Sequence, residues 1–202
     1  MLRYCLTYSS LLPMLAAVCI LAYVPYGVYV TRLYGRRSGL YHLAKCALGL
    51  CVASLLYLTI FFFYPNLTFH PAQHRLNLHP FIWVTECYDA GPAVMAAQLL
   101  LNIAMFLPLG FLLPIAAHKL RTPVATAAVV LLTTAGIETF QYFIGRSADV
   151  DDVIMNFLGG ILGYGSYVLL SRYLADTPWW DAMLTGGPLT PGATRLSLHT
   201  AA

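Results

Sequence analysis

Five long apolar runs dominate this sequence and limit the folds that it can adopt. They cover residues 11–30, 43–64, 94–117, 124–144 and 153–170. An α-helix needs about 20 apolar residues to cross the hydrocarbon core of a bilayer, and each run comes close to that length. Only helices and closed barrels satisfy their backbone polar groups within lipid. The runs therefore predict an all-α, polytopic membrane protein with about five transmembrane helices.

The amino-acid composition supports this prediction. Hydrophobic residues make up 59% of the chain and charged residues only 9%, whereas soluble domains have roughly 45–50% apolar and about 25% charged residues. The net charge of +3 is spread over the loops, which does not indicate a nucleic-acid partner. The cysteines form no Cys-x-x-Cys pair, so the sequence predicts neither a zinc site nor any other cofactor. We expect a multi-pass protein of the cell membrane, with membrane lipids as partners.

The lysines and arginines predict how the chain is oriented. Loops on the cytoplasmic side of a membrane carry an excess of these residues. One set of helix ends carries Arg32, Arg36, Arg37, Lys45, Lys119, Arg121 and Arg172, and the other carries only Arg3, Arg75 and Arg146. The sequence therefore predicts an N-terminus outside the cell and a C-terminus in the cytoplasm.

The spans divide the chain into four parts. Residues 1–64 hold two N-terminal transmembrane helices, residues 65–93 form an external loop, and residues 94–172 form a core of three transmembrane helices. The first run is longer than the apolar region of about 7–15 residues in a signal peptide, so we interpret it as a span. Residues 173–202 are rich in proline and glycine, and we expect a disordered cytoplasmic tail.

Polar and charged residues concentrate between Ile137 and Gly163, from the end of the fourth span into the fifth. An ionisable group at membrane depth is costly and usually marks a functional site. Glu138 lies more than one helical turn inside the fourth span, where a carboxyl group must be paired, protonated or hydrated. With one residue of the third span, this stretch supplies the predicted ligand-binding residues, which are Asn102, Glu138, Gln141, Arg146, Asp149, Asp152 and Asn156.

Helical spacing predicts which of these side chains lie together. One face of the fifth span carries Asp152, Asn156, Gly159 and Gly163. The two glycines form a small-x-x-x-small pair that allows close helix packing. Packing of the fourth span against this face would bring Glu138 near Asn156. It would also bring Arg146 near Asp149 or Asp152. We therefore predict a polar pocket that opens outward between the last three spans.

The charged residues also have purely structural interpretations. Asp149 or Asp152 could cap the fifth helix, since acidic residues favour helix N-termini. Asp151 is expected to face water. Arg146 is either an interfacial anchor or the partner of a carboxylate, and its position between carboxylates at a tight turn favours the ion pair.

The loop before the third span contains a weaker candidate for an external metal site. Its histidines and acidic residues are His70, His74, His79, Glu86 and Asp89. Pro71 and Pro80 interrupt any helix that would align the histidines, so we do not favour a metal site there.

Groups of polar residues at fixed spacing resemble the VanZ-like family. In the third and fourth spans they are Asn102, with Pro108 and Gly110 after it, and Glu138-x-x-Gln141. The fifth span and the residues just before it contribute Arg146-x-x-Asp149-x-x-Asp152-x-x-x-Asn156-x-x-Gly159. Upstream, Arg75-x-Asn77-Leu78-x-Pro80-Phe81 resembles the segment that precedes the central helices of the family. The resemblance extends over residues 75–170 and departs from the family at His79, where an aliphatic residue is common.

The resemblance implies a role in the cell envelope. The family is named for an accessory protein of glycopeptide-resistance clusters that gives low-level teicoplanin resistance. An outward-facing pocket suits this role, because glycopeptides act outside the membrane on lipid-linked precursors of the cell wall. The implied ligand is a lipid head group, a lipid-linked cell-wall precursor or a glycopeptide, with Arg146 holding an anion.

Two other functions stay open at this point. An intramembrane enzyme that acts on a lipid-linked phosphate or ester would use Glu138 as its general base. Asp149 and Asp152 would then be weak candidates for holding a divalent cation. A transporter is disfavoured, because the sequence shows no internal repeat.

Overall fold

Helices make up most of the chain, as the apolar runs predict. The computed structural model describes residues 2–61, 75–84 and 91–187, with residues 2–15, 34, 61 and 75 described by their backbone alone. Within these ranges five helices are long and apolar enough to cross a membrane, which confirms the predicted number. They are α1 (Leu2–Tyr34), α2 (Gly39–Leu56), α3 (Pro92–Ala116), α4 (Pro123–Phe143) and α5 (Val150–Tyr173), and a short helix, α6, spans Pro178–Thr185.

The connections contain short elements that the apolar runs do not reveal. A π-helical turn, Tyr57–Phe61, continues α2, and a 3₁₀ turn, His118–Leu120, separates α3 from α4. Strand β1 (Arg75–Asn77) pairs in parallel with β2 (Ser147–Asp149), so that Asn77 lies opposite Asp149. Such strands are too short to show the alternation of polar and apolar residues that identifies a strand in a sequence.

The two strands and α6 lie at opposite ends of the helix bundle. We call the end that carries β1 and β2 the strand end, and the end that carries α6 the tail end. At the tail end the Ser38 hydroxyl accepts a hydrogen bond from the Tyr41 amide (3.2 Å) and caps α2. Thr122 caps α4 in the same way, accepting from the Ala125 amide at 3.3 Å. Because such side chains satisfy free amides at helix N-termini, these helix boundaries follow from the local sequence.

The close contact between α3 and α5 forms the centre of the bundle. Gly159 lies against the backbone carbonyl of Ile103, and a Cβ atom at this position would overlap with the carbonyl oxygen. Gly163 lies against the carbonyl of Leu107 in the same way. In lipid, apolar burial gives no driving force between helices, and close backbone approach supplies the packing energy. The glycine face predicted from the sequence is therefore the face that contacts α3.

The remaining helices are arranged around this contact. Phe106 of α3 and Val130 of α4 are both 0% exposed. With Leu55 of α2 they belong to an apolar core formed by α2, α3 and α4, against which Phe157 of α5 packs. α2 packs against α3, and α1 packs against α2. The Tyr23 hydroxyl of α1 lies 2.8 Å from His42 Nδ1 of α2.

The beginning of the C-terminal tail differs from its prediction. Proline and glycine predict disorder, but α6 forms a helix whose Trp180 is only 3% exposed. Carbonyls near its C-terminal end accept hydrogen bonds from Arg37 Nη1 (3.0 Å) and Arg121 Nη2 (2.8 Å). Pro178 starts this helix and Gly186 ends it with a φ of 78°, so these residues mark boundaries of a helix. Residues 188–202 lie outside the described part.

The orientation in the membrane is a prediction that labelling can test. In a variant without the natural cysteines, a cysteine is introduced either at Ser147, at the strand end, or at Lys119, at the tail end. A membrane-impermeant maleimide should label Ser147→Cys in intact cells and Lys119→Cys only after permeabilisation. The reverse pattern would invert the predicted orientation.

Replacing Gly163 by alanine should destabilise the protein. The new Cβ atom would overlap with the Leu107 carbonyl, and overpacking of this kind costs about 1–3 kcal/mol. Gly165→Ala is the matched control, because nothing lies within 4 Å of a Cβ atom at Gly165. Unfolding temperatures of both variants in detergent provide the measurement, and equal temperatures would contradict the proposed packing.

Candidate functional site

The predicted polar residues lie in the strand-end half of the bundle, but they have separate partners. The structure assigns them to contacts among α2, α3, α4, α5 and the segment of residues 75–84, which we call the strap. The residues concerned are Asn102, Glu138, Gln141, Arg146, Asp149, Asp152 and Asn156.

Asp149 caps α5 and also holds the strap. Its Oδ1 accepts a hydrogen bond from the Asp151 amide at 2.9 Å, which is the capping interaction that the sequence left open. Both carboxylate oxygens accept from Asn77 Nδ2, at 3.0 and 3.1 Å. The amide of His79 donates to Asn77 Oδ1 at 3.0 Å. One acidic residue therefore stabilises both a helix N-terminus and the beginning of the strap.

Asp151 is buried, and the prediction that it faces water is wrong. Its side chain is only 4% exposed. The carboxylate accepts hydrogen bonds from the backbone amides of Phe81 (2.6 Å) and Trp83 (3.5 Å). Phe81 has a φ of 66°, in the left-handed region, which costs a non-glycine residue roughly 1–2 kcal/mol. Helical phase could not identify these partners, because they lie far away in the chain.

Glu138 and Asp152 connect α5 to its two neighbours. Glu138 of α4 is 7% exposed, and its Oε2 accepts a hydrogen bond from the Asp149 amide at 3.1 Å. Asp152 Oδ1 accepts a hydrogen bond from Asn102 Nδ2 of α3. The beginning of α5 is thus attached to α4 through one carboxylate and to α3 through another.

Gln141 and Arg146 share an acceptor in the π-helical turn. Gln141 Nε2 and Arg146 Nη1 donate to the carbonyl oxygen of Thr59, at 2.9 and 3.0 Å. Arg146 is also close enough to Glu138 and Asp152 for their charges to interact. A π-turn changes the carbonyl pattern of a helix and is frequent at functional sites. Nothing in the sequence around Thr59 indicates this role, and the sequence interpretation did not include it.

The sequence predicted that Asn156 lies near Glu138, but the hydrogen-bond partner of Asn156 is a threonine. Its Nδ2 donates to Thr134 Oγ1 at 3.0 Å. The side chain is 3% exposed, and among the described residues no hydrogen-bond partner is found for its Oδ1. Thr134 precedes Glu138 by one helical turn on the same face of α4, so helical spacing could have identified it.

A cavity of about 320 Å³ lies between the strap, the second half of α4 and the beginning of α5. Most of its lining is apolar, and the predicted ligand-binding residues that line it are Glu138 and Asp149. The other predicted residues make contacts between helices instead. The residues around the cavity are Leu76, Asn77, Leu78, Ala135, Glu138, Thr139, Tyr142, Phe143, Ala148, Asp149, Val150 and Val153.

The described residues do not form a cluster of metal ligands. In the ranges that the structure covers, no group of three or more His, Cys, Asp or Glu side chains could hold a metal ion. Of the histidine-rich loop, His70, His74, Glu86 and Asp89 lie outside the described residues. Asp149 and Asp152, the weak candidates for a divalent cation, accept hydrogen bonds from Asn77 and Asn102 respectively.

The region of the chain that matches known proteins contains the whole polar cluster. The family model described as VanZ/LLP1 matches residues 48–171. Protein VanZ of Enterococcus faecium is 29% identical to this chain over 135 residues, which are 65% of this chain and 78% of that protein. No solved structure matches the chain at a significant level. The matched region extends from within α2 almost to the end of α5 and includes the strap.

Replacing Asp151 by alanine should release the strap. Two backbone amides would lose a charged acceptor, and hydrogen bonds to charged groups contribute about 1.5–3 kcal/mol each. We expect hydrogen exchange in residues 75–84, measured by mass spectrometry, to become at least tenfold faster, which corresponds to about 1.4 kcal/mol. Asp176→Ala, a change at an exposed residue of the tail end, is the control. Equal exchange rates in both variants would contradict the role of Asp151.

Proposed function

Because this chain belongs to the VanZ/LLP1 family, we propose that it acts in the cell envelope and gives low-level resistance to glycopeptides such as teicoplanin. It does so at the cell membrane by binding an amphiphilic ligand in the strand-end cavity. The observation that carries this proposal is a cavity with apolar walls and one buried carboxylate, Glu138. The ligand class includes lipid head groups and lipid-linked precursors of the cell wall.

The shape and lining of the cavity support ligand binding. Ligand pockets have volumes of roughly 300–1,000 Å³ and mostly apolar walls with a few polar groups that orient the ligand. The cavity of about 320 Å³ has this character, with Glu138, Asp149 and Asn77 as polar groups among aliphatic and aromatic side chains. In the predicted orientation it lies on the outer side of the membrane, where glycopeptides meet wall precursors.

Arg146 takes a structural role in this proposal. Its guanidinium donates to the Thr59 carbonyl and lies in the field of Glu138 and Asp152. A cation in this position offsets the repulsion between the carboxylates and connects the π-helical turn to the beginning of β2. The anion-holding role that the sequence suggested is therefore not part of the proposal.

Filling the cavity tests the proposal. Expression of the unmodified chain in a susceptible host should raise the teicoplanin concentration that is needed for inhibition. Ala135 lines the cavity, so Ala135→Trp should abolish this increase. Ala128→Trp is the matched control, because Ala128 lies two turns earlier on the same face of α4 and is exposed outside the cavity. Immunoblots of membranes confirm equal amounts of both variants.

The outcomes of this experiment are distinct. Loss of resistance in Ala135→Trp alone supports the proposal, and equal resistance in both variants overturns the role of the cavity. If the unmodified chain changes no susceptibility, the glycopeptide part of the proposal fails. If Glu138→Gln and Asp152→Asn both leave resistance intact, the polar cluster is structural.

An enzymatic function is the second candidate, and the position of Glu138 in the cavity wall favours it. A carboxylate beside a bound ligand could act as a general base on a lipid-linked phosphate or ester. Turnover of a polyprenyl phosphate or phospholipid by the purified protein, lost in Glu138→Gln, would support this candidate. Binding without turnover in the same preparation would favour the binding protein.

A further inference from the structure

The charge around the cavity limits the ligands that it can accept. The carboxylates in its lining are those of Glu138 and Asp149, and no lysine or arginine belongs to the lining. Arg146, whose charge acts on Glu138, donates to the Thr59 carbonyl. An anionic head group in the cavity would therefore face two carboxylates at short range and in a medium of low polarity, where repulsion is strong.

Among the carboxylates and the amide of the lining, the described hydrogen bonds leave one side-chain oxygen without a donor. Asp149 already accepts from Asn77 and from the Asp151 amide. The side-chain oxygen of Asn77, Oδ1, accepts from the His79 amide. Glu138 uses Oε2 to accept from the Asp149 amide, and among the described residues no donor is found for its other oxygen, Oε1. An ionised carboxylate is an acceptor only, so a ligand that pairs with Oε1 in the ionised form of Glu138 must donate a hydrogen bond.

The walls of the cavity select the rest of the ligand. Leu76, Leu78 and Phe143 line it and keep 59%, 66% and 52% of their surface exposed. An apolar chain could lie along these side chains while its polar end reaches Glu138. A volume of about 320 Å³ is at the lower end of the range for ligand pockets, and it suits one chain rather than two.

We propose that the strand-end cavity binds a single-chain amphiphile with an ammonium group, which the Glu138 carboxylate holds by a charged hydrogen bond. The ammonium group supplies the donor that Oε1 lacks and places a second positive charge, besides that of Arg146, near the buried carboxylate. This inference rests on the proposed function, because it names the ligand class of the same cavity. Within the ligand class of the proposed function, it selects ammonium head groups over phosphate head groups.

Two probes with the same alkyl chain test the inference. Purified full-length protein in nanodiscs of zwitterionic lipid is titrated with dodecylammonium and with dodecyl phosphate, and native mass spectrometry measures Kd. We expect dodecylammonium to bind at least tenfold more tightly. Glu138→Gln should reduce this preference to less than twofold, since the amide keeps the shape and the acceptor for the Asp149 amide but loses the charge.

Two further variants separate the cavity from the membrane surface. Asp176→Asn removes the same charge at an exposed residue of the tail end and should keep the tenfold preference. Ala135→Trp should remove the binding of dodecylammonium. Unfolding temperatures within a few degrees of the unmodified protein establish that each variant is folded. If Glu138→Gln unfolds, Glu138→Asp takes its place. Because this variant keeps the charge, it should retain part of the preference for dodecylammonium.

The results distinguish this inference from the function on which it rests. Equal binding of both probes, still abolished by Ala135→Trp, would overturn the ammonium specificity and leave the cavity as a ligand site. A preference for dodecylammonium that persists in Glu138→Gln would also overturn it. Binding of both probes that is unchanged in Ala135→Trp would overturn the cavity itself as a binding site, and with it the proposed function.

Discussion

The contact between the backbones of α3 and α5 determines where the polar residues of the strand end lie. Gly159 and Gly163 allow α5 to approach the carbonyls of α3 more closely than any side chain would permit. Within lipid, such contacts replace the hydrophobic driving force that packs helices in water. Once they form, Asp152 meets Asn102 across the same interface, and the N-terminus of α5 is placed beside the end of α4.

The acidic residues at the start of α5 are used mainly to satisfy backbone amides. Asp149 and Asp151 accept from amides of α5 and the strap, while Glu138 accepts from the amide of Asp149. Irregular backbone at the edge of a membrane needs such partners, because a free amide is costly where water is scarce. Most of the charge that suggested a binding site thus stabilises the structure, and Glu138 is the buried acid that also lines the cavity.

Several features followed from the sequence because they depend on local spacing. The length of apolar runs predicts five helices, and the period of an α-helix predicts the face that carries Gly159 and Gly163. Other features depend on residues distant in the chain. Asp151 was expected in water, since nothing in its own helix reveals that the strap folds over it. The acceptor of Arg146 is a carbonyl in a π-helical turn, and backbone groups leave no signal in the sequence.

The parallel pairing of β1 with β2 has a consequence for biosynthesis. Parallel strands cannot be joined by a short turn, and here α3 and α4, two complete spans, separate them. During translation the strap therefore leaves the ribosome long before the residues that hold it. Its amides stay hydrated until the fourth span has been inserted and the beginning of α5 has been synthesised. Closure of the strap is thus a late step of membrane insertion, and any cavity beneath it exists only after that step.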